Sequence, residues 1–363
     1  MGQSVEIKDV WKSFGGFDAV RSATVKIQAG EFLSLLGPSG SGKSTLLMMV
    51  AGFLQPTSGK ILIGDEDVTA VPANKRGIGM VFQKYALFPH MTVFENIAFP
   101  LKMRKLRRSE IESRVGQALD LVKLRDLGSR LPIQLSGGQQ QRVAVARALV
   151  FEPPVLLMDE PLGALDKKLR EEMQFEIKNL QQSLGVTMIY VTHDQEEALT
   201  MSDRVAVMNH GEVQQIADPK TLYREPGSPF VADFVGKMNL IEVKYVDQTA
   251  SGALLKTAGG NRFSIQNLAV STPDPERPMK IAARPETIAL SKRNETSGTL
   301  LEGTIHQCVF MGSMTMVQVI VGPEDEVVYV QTEADASYKP GEVVYLEFDG
   351  SRTSLFAHGP GEN

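Results

Sequence analysis

Apolar and polar positions follow two different rhythms along this chain. From Ser4 to about Pro226, short apolar runs alternate with longer amphipathic stretches. Val25-Lys26-Ile27 alternates as a strand, Ala29-Gly30 turns the chain, and Glu31-Phe32-Leu33-Ser34-Leu35-Leu36 reads as a buried strand. Thr45 to Ala51 follows as a helix. A second helix is predicted to begin at Ser109, with Ser109 and Glu112 as a capping box and Ile111, Val115, Ala118, Leu119 and Val122 on one face. Val155 to Met158 and Val186 to Val191 are two further buried strands. Strands separated by helices predict an α/β fold with a parallel sheet. After Pro226-Gly227-Ser228-Pro229 the helical period fades and, from about Gly236, alternation of period two takes over. Ile241 to Val246, Glu326 to Val330 and Glu342 to Phe348 are examples, divided by turns such as Gly259-Gly260-Asn261 and Pro273-Asp274-Pro275. That pattern predicts a small β-barrel or a pair of them. The expected domains are 1–236 and 237–363.

Bulk properties narrow the class. The 363 residues exceed one ordinary core, and 42% hydrophobic with 22% charged residues is the balance of a globular protein. A formal charge of −5 provides no basic footprint, so nucleic acid is not an expected partner. The single cysteine, Cys308, excludes an intrachain disulfide and fits a reducing compartment. The first residues lack the apolar core of a signal peptide, and no stretch sustains the roughly 18 apolar residues of a membrane span. If the protein works at a membrane, another subunit is expected to hold it there.

Chemistry concentrates in a few motifs. Gly37-Pro38-Ser39-Gly40-Ser41-Gly42-Lys43-Ser44-Thr45 satisfies the phosphate-binding P-loop pattern, between a strand and a helix as that loop requires. Its backbone N–H groups at a helix start would cradle phosphates, Lys43 would reach the β- and γ-phosphates, and the Ser44 hydroxyl would bind Mg²⁺. Downstream, Val155-Leu156-Leu157-Met158-Asp159-Glu160 ends a buried strand in two carboxylates. Asp159 is expected to hold Mg²⁺, and Glu160 to polarise an attacking water. Leu135-Ser136-Gly137-Gly138-Gln139 is a helix start with Ser136 as N-cap and Gln139 as its reciprocal partner, the glycines letting an anion approach the N–H groups. A chain that owns a P-loop has no obvious need of a second phosphate nest, unless it serves a nucleotide held by another copy. His193 is delivered by a buried strand to the same sheet edge as Asp159 and Glu160.

Together these motifs resemble the ATP-binding subunits of ABC transporters, over roughly residues 4–240. Leu-Ser-Gly-Gly-Gln at 135–139 resembles that family's signature. The resemblance implies a helical subdomain at about 88–150 and a head-to-tail homodimer with two ATPs, each between one chain's P-loop and the other's Ser136 to Gln139. It further implies that Gln83 is the Q-loop glutamine contacting Mg²⁺ and water, that His193 is the switch histidine, and that Leu165-Asp166 is the D-loop, with Gly163 where Ser is usual. An aromatic near the N-terminus stacks on adenine in this family. Phe14 occupies that position, with Trp11 as a rival.

The β-rich tail, with Ala283-Arg284-Pro285-Glu286, looks like the OB-type (TOBE-like) domain of bacterial importers. Residues 162–170 and 223–239 most resemble the polyamine, opine or phosphonate group, while ferric iron, sugar and sulfate importers share the architecture. The resemblance thus implies an ATPase powering solute import, peripheral on the cytoplasmic face of the bacterial inner membrane. Its partners would be two transmembrane permeases and, indirectly, a periplasmic solute-binding protein. Two other classes stay open: a soluble ABC ATPase outside transport, and a regulatory module whose barrels bind a ligand or transcription factor. The basic run from Lys102 to Arg108 reads as solvated surface or as a neighbour of anionic head groups.

Overall fold

The computed structural model describes residues 2–163, 165–249, 252–257, 260, 262–266, 279–292, 301–322 and 326–357. Gly259, Asn261 and the expected turn at 273–275 lie outside them. The chain divides into two units, Met1–Leu222 and Tyr223–Asn363, each with its own core.

In the first unit β1 (Val5–Phe14) and β2 (Phe17–Ile27) form a hairpin, β3 (Phe32–Leu36) leads through the P-loop into α1 (Lys43–Ala51), and β4 (Ser58–Ile63) and β5 (Glu66–Asp67) join the hairpin. The result is an antiparallel sheet of order β2-β1-β4-β5. A second sheet has the order β10-β9-β3-β8-β7-β6, formed by β3 with β6 (Gly79–Val81), β7 (Val155–Asp159), β8 (Thr187–Thr192), β9 (Arg204–Asn209) and β10 (Glu212–Ala217). All its pairings are parallel except β9 with β10. β3, β7 and β8 are covered on both faces, hence their unbroken apolar runs. Register sets Leu36 beside Thr192 and Asp159 beside Val191. The loops after β3, β7 and β8 therefore leave from one sheet edge, the carboxyl edge where open α/β sheets bind ligands.

Between β6 and β7 lie α2 (Val93–Met103), α3 (Arg108–Leu121) and α4 (Gly137–Leu149), packed around Val93, Ile97, Leu101, Ile111, Val115 and Val143. The expected apolar face of α3 is buried, but its expected cap is not formed. Arg107 is the N-cap with no side-chain bond, and Glu112 instead pairs with Arg108 at 2.9 Å. With the N-cap two residues earlier, Ser109 lies inside the first turn and cannot act as N-cap. α5 (Lys167–Leu184) and α6 (Gln195–Met201) flank β8 in sequence. No helix among the described residues is long and apolar enough to cross a membrane.

Among the described residues the second unit contains α8 (Pro229–Phe234), which follows α7 (Pro219–Arg224), and ten strands in two antiparallel sheets. One sheet joins β11 (Asn239–Thr249), β12 (Gly252–Thr257), β13 (Arg262–Gln266), β14 (Met279–Ala283) and, from the far end of the unit, β20 (Thr353–Ala357). The other joins β15 (Ile288–Ser291), β16 (Leu301–Phe310), β17 (Met314–Val321), β18 (Glu326–Glu333) and β19 (Val343–Phe348). Ile241, Leu255 and Ile281 of the first sheet share one core with Val317, Val328 and Val344 of the second. The Asn239 amide donates to Tyr329 O at 2.8 Å and accepts from Tyr329 N at 2.7 Å, joining the sheets. The expectation put the boundary at 236/237, and the contacts divide the chain at 222/223. The buried Arg284 guanidinium donates to the carbonyls of Tyr223 (2.9 Å), Lys237 (3.1 Å) and Ala232 (3.3 Å), and its charge lies over the Tyr223 ring. Residues 223–236 are thereby held to the β unit.

Candidate nucleotide-binding site

The loop between β3 and α1 takes its shape from close backbone approaches. Gly42, the α1 N-cap, has φ 98°, and a Cβ there would lie 2.4 Å from Ala19 O. A Cβ on Gly37 would lie 2.3 Å from Met208 O. Neither position admits a side chain, so the β1–β2 sheet and β9 both press against this loop. Ser39, Gly40 and Ser44 are exposed, Pro38 and Thr45 half-buried, and Ser41 buried. Lys43 Nζ donates to the carbonyls of Gly37 and Pro38, each at 2.8 Å. Burial pulls its pKa below the usual lysine value, while Glu160 and Asp159 oppose that pull.

Five sequence-predicted side chains meet at the sheet edge. Ser44 Oγ donates to Asp159 Oδ1 at 2.9 Å. Gln83, in the loop after β6, donates through Nε2 to Glu160 Oε2 at 3.1 Å, and His193 Nδ1 lies 3.3 Å from Glu160 Oε1. Glu160 thus stands between Gln83 and His193. Its backbone is left-handed at φ 43°, fixed where its N–H donates to Val191 O at 3.0 Å. Such a conformation in a non-glycine residue costs on the order of 1 kcal/mol or more, and marks a position held by its surroundings. Burial raises the Asp159 carboxyl above the usual carboxylate range; the Ser44 hydrogen bond opposes this and the neighbouring Glu160 charge adds to it. A hydroxyl, a carboxylate and a side-chain amide are hard oxygen donors of the kind Mg²⁺ takes beside phosphate oxygens. No cluster of three or more His, Cys, Asp or Glu suited to a metal occurs among the described residues. Mg²⁺ needs none, because one or two carboxylates suffice when phosphates complete its shell.

The signature element forms a separate group. Ser136 caps α4 by accepting from Gln139 N at 3.4 Å, and Gln139 Oε1 accepts from Ser136 N at 3.0 Å, the reciprocal pair expected. Ser136 and Gly137 are exposed. Gly138 is buried, and a Cβ there would come within 3.0 Å of Leu169 Cδ2. Anion approach was the reason expected for both glycines; at Gly138 close packing against the Leu169 side chain of α5 also favours a residue without a Cβ. Asp166 caps α5, accepting from Leu169 N at 3.0 Å. Phe14, at the β1–β2 turn, is 47% exposed with Lys12 Nζ 4.9 Å above its ring. The rival Trp11 is half-buried, and its indole N–H donates to Asp9 Oδ1 at 3.2 Å.

Sequence reasoning passed over the arginines that hold the site's loops. Arg147 of α4 donates to Tyr85 O at 2.7 Å and Ala86 O at 2.8 Å, in the left-handed pair just after Gln83. Arg170 of α5 donates to Leu165 O at 3.0 Å and to Asp194 Oδ2 at 3.2 Å. Their partners are backbone carbonyls and a carboxylate distant in the chain, so only tertiary contacts mark them out; Asp194, directly after His193, was the one accessible signal.

Comparison with known proteins agrees with this arrangement. A family described as ABC transporter matches residues 20–163, and one described as TOBE domain matches residues 281–356. The spermidine/putrescine import ATP-binding protein PotA of Rubrobacter xylanophilus is 47% identical over 349 residues, covering 95% of this chain and 92% of that protein. PotA of Pseudomonas aeruginosa strain UCBPP-PA14 is 49% identical over 316 residues, 86% of each chain. Among solved structures, cbiO1 from Clostridium perfringens, part of the ABC transporter complex cbiONQ, has a TM-score of 0.58 at 32% identity, covering 62% of this chain and 92% of that one. The dimeric bacterial ABC transporter cassette MJ0796 has a TM-score of 0.54 at 35% identity, covering 59% and 98%. With the two domain families in the order the sequence implied, and relatives matched over nearly their whole length, this chain belongs to the ATP-binding proteins of ABC transporters.

Proposed function

We propose that this chain is the ATP-hydrolysing subunit of a polyamine importer, working as a homodimer on two transmembrane permeases at the cytoplasmic face of the bacterial inner membrane. A periplasmic binding protein would deliver the solute. The observation that carries the reading is Glu160 standing between Gln83 and His193, beside the Ser44–Asp159 pair and Lys43 at one sheet edge. The names of the PotA relatives support the substrate class, and the dimeric cassette MJ0796 supports pairing.

In this reading Lys43 and the N–H groups of residues 37–45 bind the phosphates, and the exposed ring of Phe14 stacks on adenine. Trp11 suits that task less, because its N–H is engaged by Asp9. Ser44, Asp159 and Gln83 would hold Mg²⁺, which supplies charge neutralisation at the β- and γ-phosphates. Glu160 draws a proton from the water attacking the γ-phosphorus, with Gln83 and His193 fixing its two oxygens. Ser136, Gly137, Gly138 and Gln139 of the second copy close the site over the γ-phosphate, alongside Asp166. Moving a dimer from mostly open to mostly closed takes about 5.5 kcal/mol of differential binding. Hydrogen bonds to charged groups contribute roughly 1.5–3 kcal/mol each, so one or two per γ-phosphate suffice. Hydrolysis weakens them and the dimer reopens.

Glu160→Gln tests the reading. ATP binding is expected to persist, turnover to fall by about 100-fold or more, and ATP to trap a dimer visible by size-exclusion chromatography. Hydrolysis near the parent rate in that variant would remove Glu160 from its role.

A further inference from the structure

We infer that Arg170 is a positioning residue for His193, tying the Leu165–Asp166 loop to the loop that carries the histidine. This rests on the ATPase reading proposed above. The guanidinium joins three segments. It donates to Leu165 O at 3.0 Å and Asp194 Oδ2 at 3.2 Å, and its Nε lies 3.9 Å from Glu197 Oε1. Each residue beside His193 is bound into the same network. Thr192 Oγ1 donates to Glu197 Oε2 at 2.7 Å and accepts from Asp194 N at 2.9 Å. Asp194 Oδ1 caps α6, accepting from Glu196 N at 2.8 Å and Glu197 N at 3.3 Å. Tyr190 OH donates to Glu197 Oε2 at 2.8 Å.

His193 itself is exposed, with Nδ1 against Glu160, so its place depends on how residues 192 and 194 are held. Glu197 is 3% exposed, and a buried carboxylate demands a nearby cation as well as donors. Burial drives its carboxyl above the usual range, while the Thr192 and Tyr190 hydrogen bonds draw it back. Arginine suits the position because its planar fork serves a carbonyl and a carboxylate through two separate nitrogens, where an ammonium would have to reach both from one. Arg170, His193 and Asp194 also line one open cleft of about 500 Å³. A displacement of Leu165 therefore pulls on the same guanidinium that holds Asp194, which links the state of the 165–166 loop to the reach of His193 toward Glu160. A solely structural ion pair would stabilise the fold without this directional effect.

The test is steady-state ATPase kinetics of the full-length chain, with nucleotide affinity and melting temperature measured on the same preparations. Arg170→Ala is expected to lower kcat about 10-fold while KM stays within threefold. Arg170→Lys keeps the charge but not the fork, and is expected to recover less than half of the lost rate. In a His193→Ala background, followed by release of labelled phosphate, adding Arg170→Ala should lower the residual rate less than twofold, because both act through one group. Asp194→Asn keeps an N-cap oxygen and loses the ion pair; it should reproduce the kcat loss without unfolding, which serves if Arg170→Ala does not fold. Parent-like kcat in Arg170→Ala or Asp194→Asn, full recovery with lysine, or losses that multiply in the His193→Ala background would each overturn the inference. Glu160→Gln runs in parallel: if it hydrolyses normally the ATPase reading fails, whereas a dead Glu160→Gln beside a normal Asp194→Asn sinks only the Arg170 role.

Discussion

In the reading proposed above, Asp159 would serve chemistry at the expense of the fold. Burial raises its carboxyl, so the native chain holds that proton more tightly than the unfolded chain does. Native stability contributed by this group is then full at low pH and falls as pH rises through the carboxylate range toward the raised value. Asp159→Asn escapes the loss and can still accept from Ser44. The nucleotide-free variant is expected to melt higher than the parent at pH 7.5, with a smaller difference at pH 4, while ATP turnover drops by about 100-fold or more. Thermal melts at the two pH values check the sign, and an unchanged difference would mean the carboxylate is not strained by burial. Spacing alone nominated the candidate residues, since the P-loop pattern carries its own lysine and hydroxyl. What spacing could not supply was the left-handed backbone of Glu160 or the burial of Lys43, which depend on how neighbouring strands crowd the loop.

At the level of elements, α4 and α3 are an instructive pair. Both carry a serine three residues before a Glu or Gln, yet only Ser136 forms the reciprocal cap. Leu135 is buried next to Ser136, which fixes where the chain enters α4. At α3 the entry is set by exposed Arg107 and Arg108, and the N-cap falls two residues before Ser109. Ser136→Ala is expected to cost about 1 kcal/mol of stability through the lost cap. It should also weaken ATP-dependent pairing about tenfold or more when tested with Glu160→Gln in the same chain by analytical ultracentrifugation. Ser136→Thr keeps the hydroxyl and should restore both. The strands and helices themselves were legible because their apolar faces are long and regular. The closeness of Gly138 to Leu169 was not legible, since that contact joins elements about thirty residues apart and no local pattern reports it.

For the whole molecule, the switch of rhythm after Pro226 marks where the β pattern takes over, and the contacts divide the chain slightly earlier, at 222/223. Arg284 decides that edge by holding Tyr223, Ala232 and Lys237 to β14 and its turn. The Tyr223 hydroxyl donates to Glu286 at 2.6 Å, and burial with that carboxylate pushes its pKa up to about 12. Arg284→Ala strands three carbonyls at about 1–3 kcal/mol for each one left buried and unpaired. We expect the β unit to melt at a lower temperature in calorimetry, and limited proteolysis to cut first within residues 223–237. A thermogram identical to the parent's would show that this segment is held by other means. The amino-acid sequence by itself determined the motifs, the order of strands and helices, and the division into an α/β half and a β half, because each is written in contiguous residues and short periods. Only the tertiary structure decided that Gln83, Glu160 and His193 share one network, that arginines 147, 170 and 284 hold the loops and the boundary, and where the second unit begins. Those contacts join residues far apart in the chain, and their energies come from burial and from paired charges that exist only after the elements have packed.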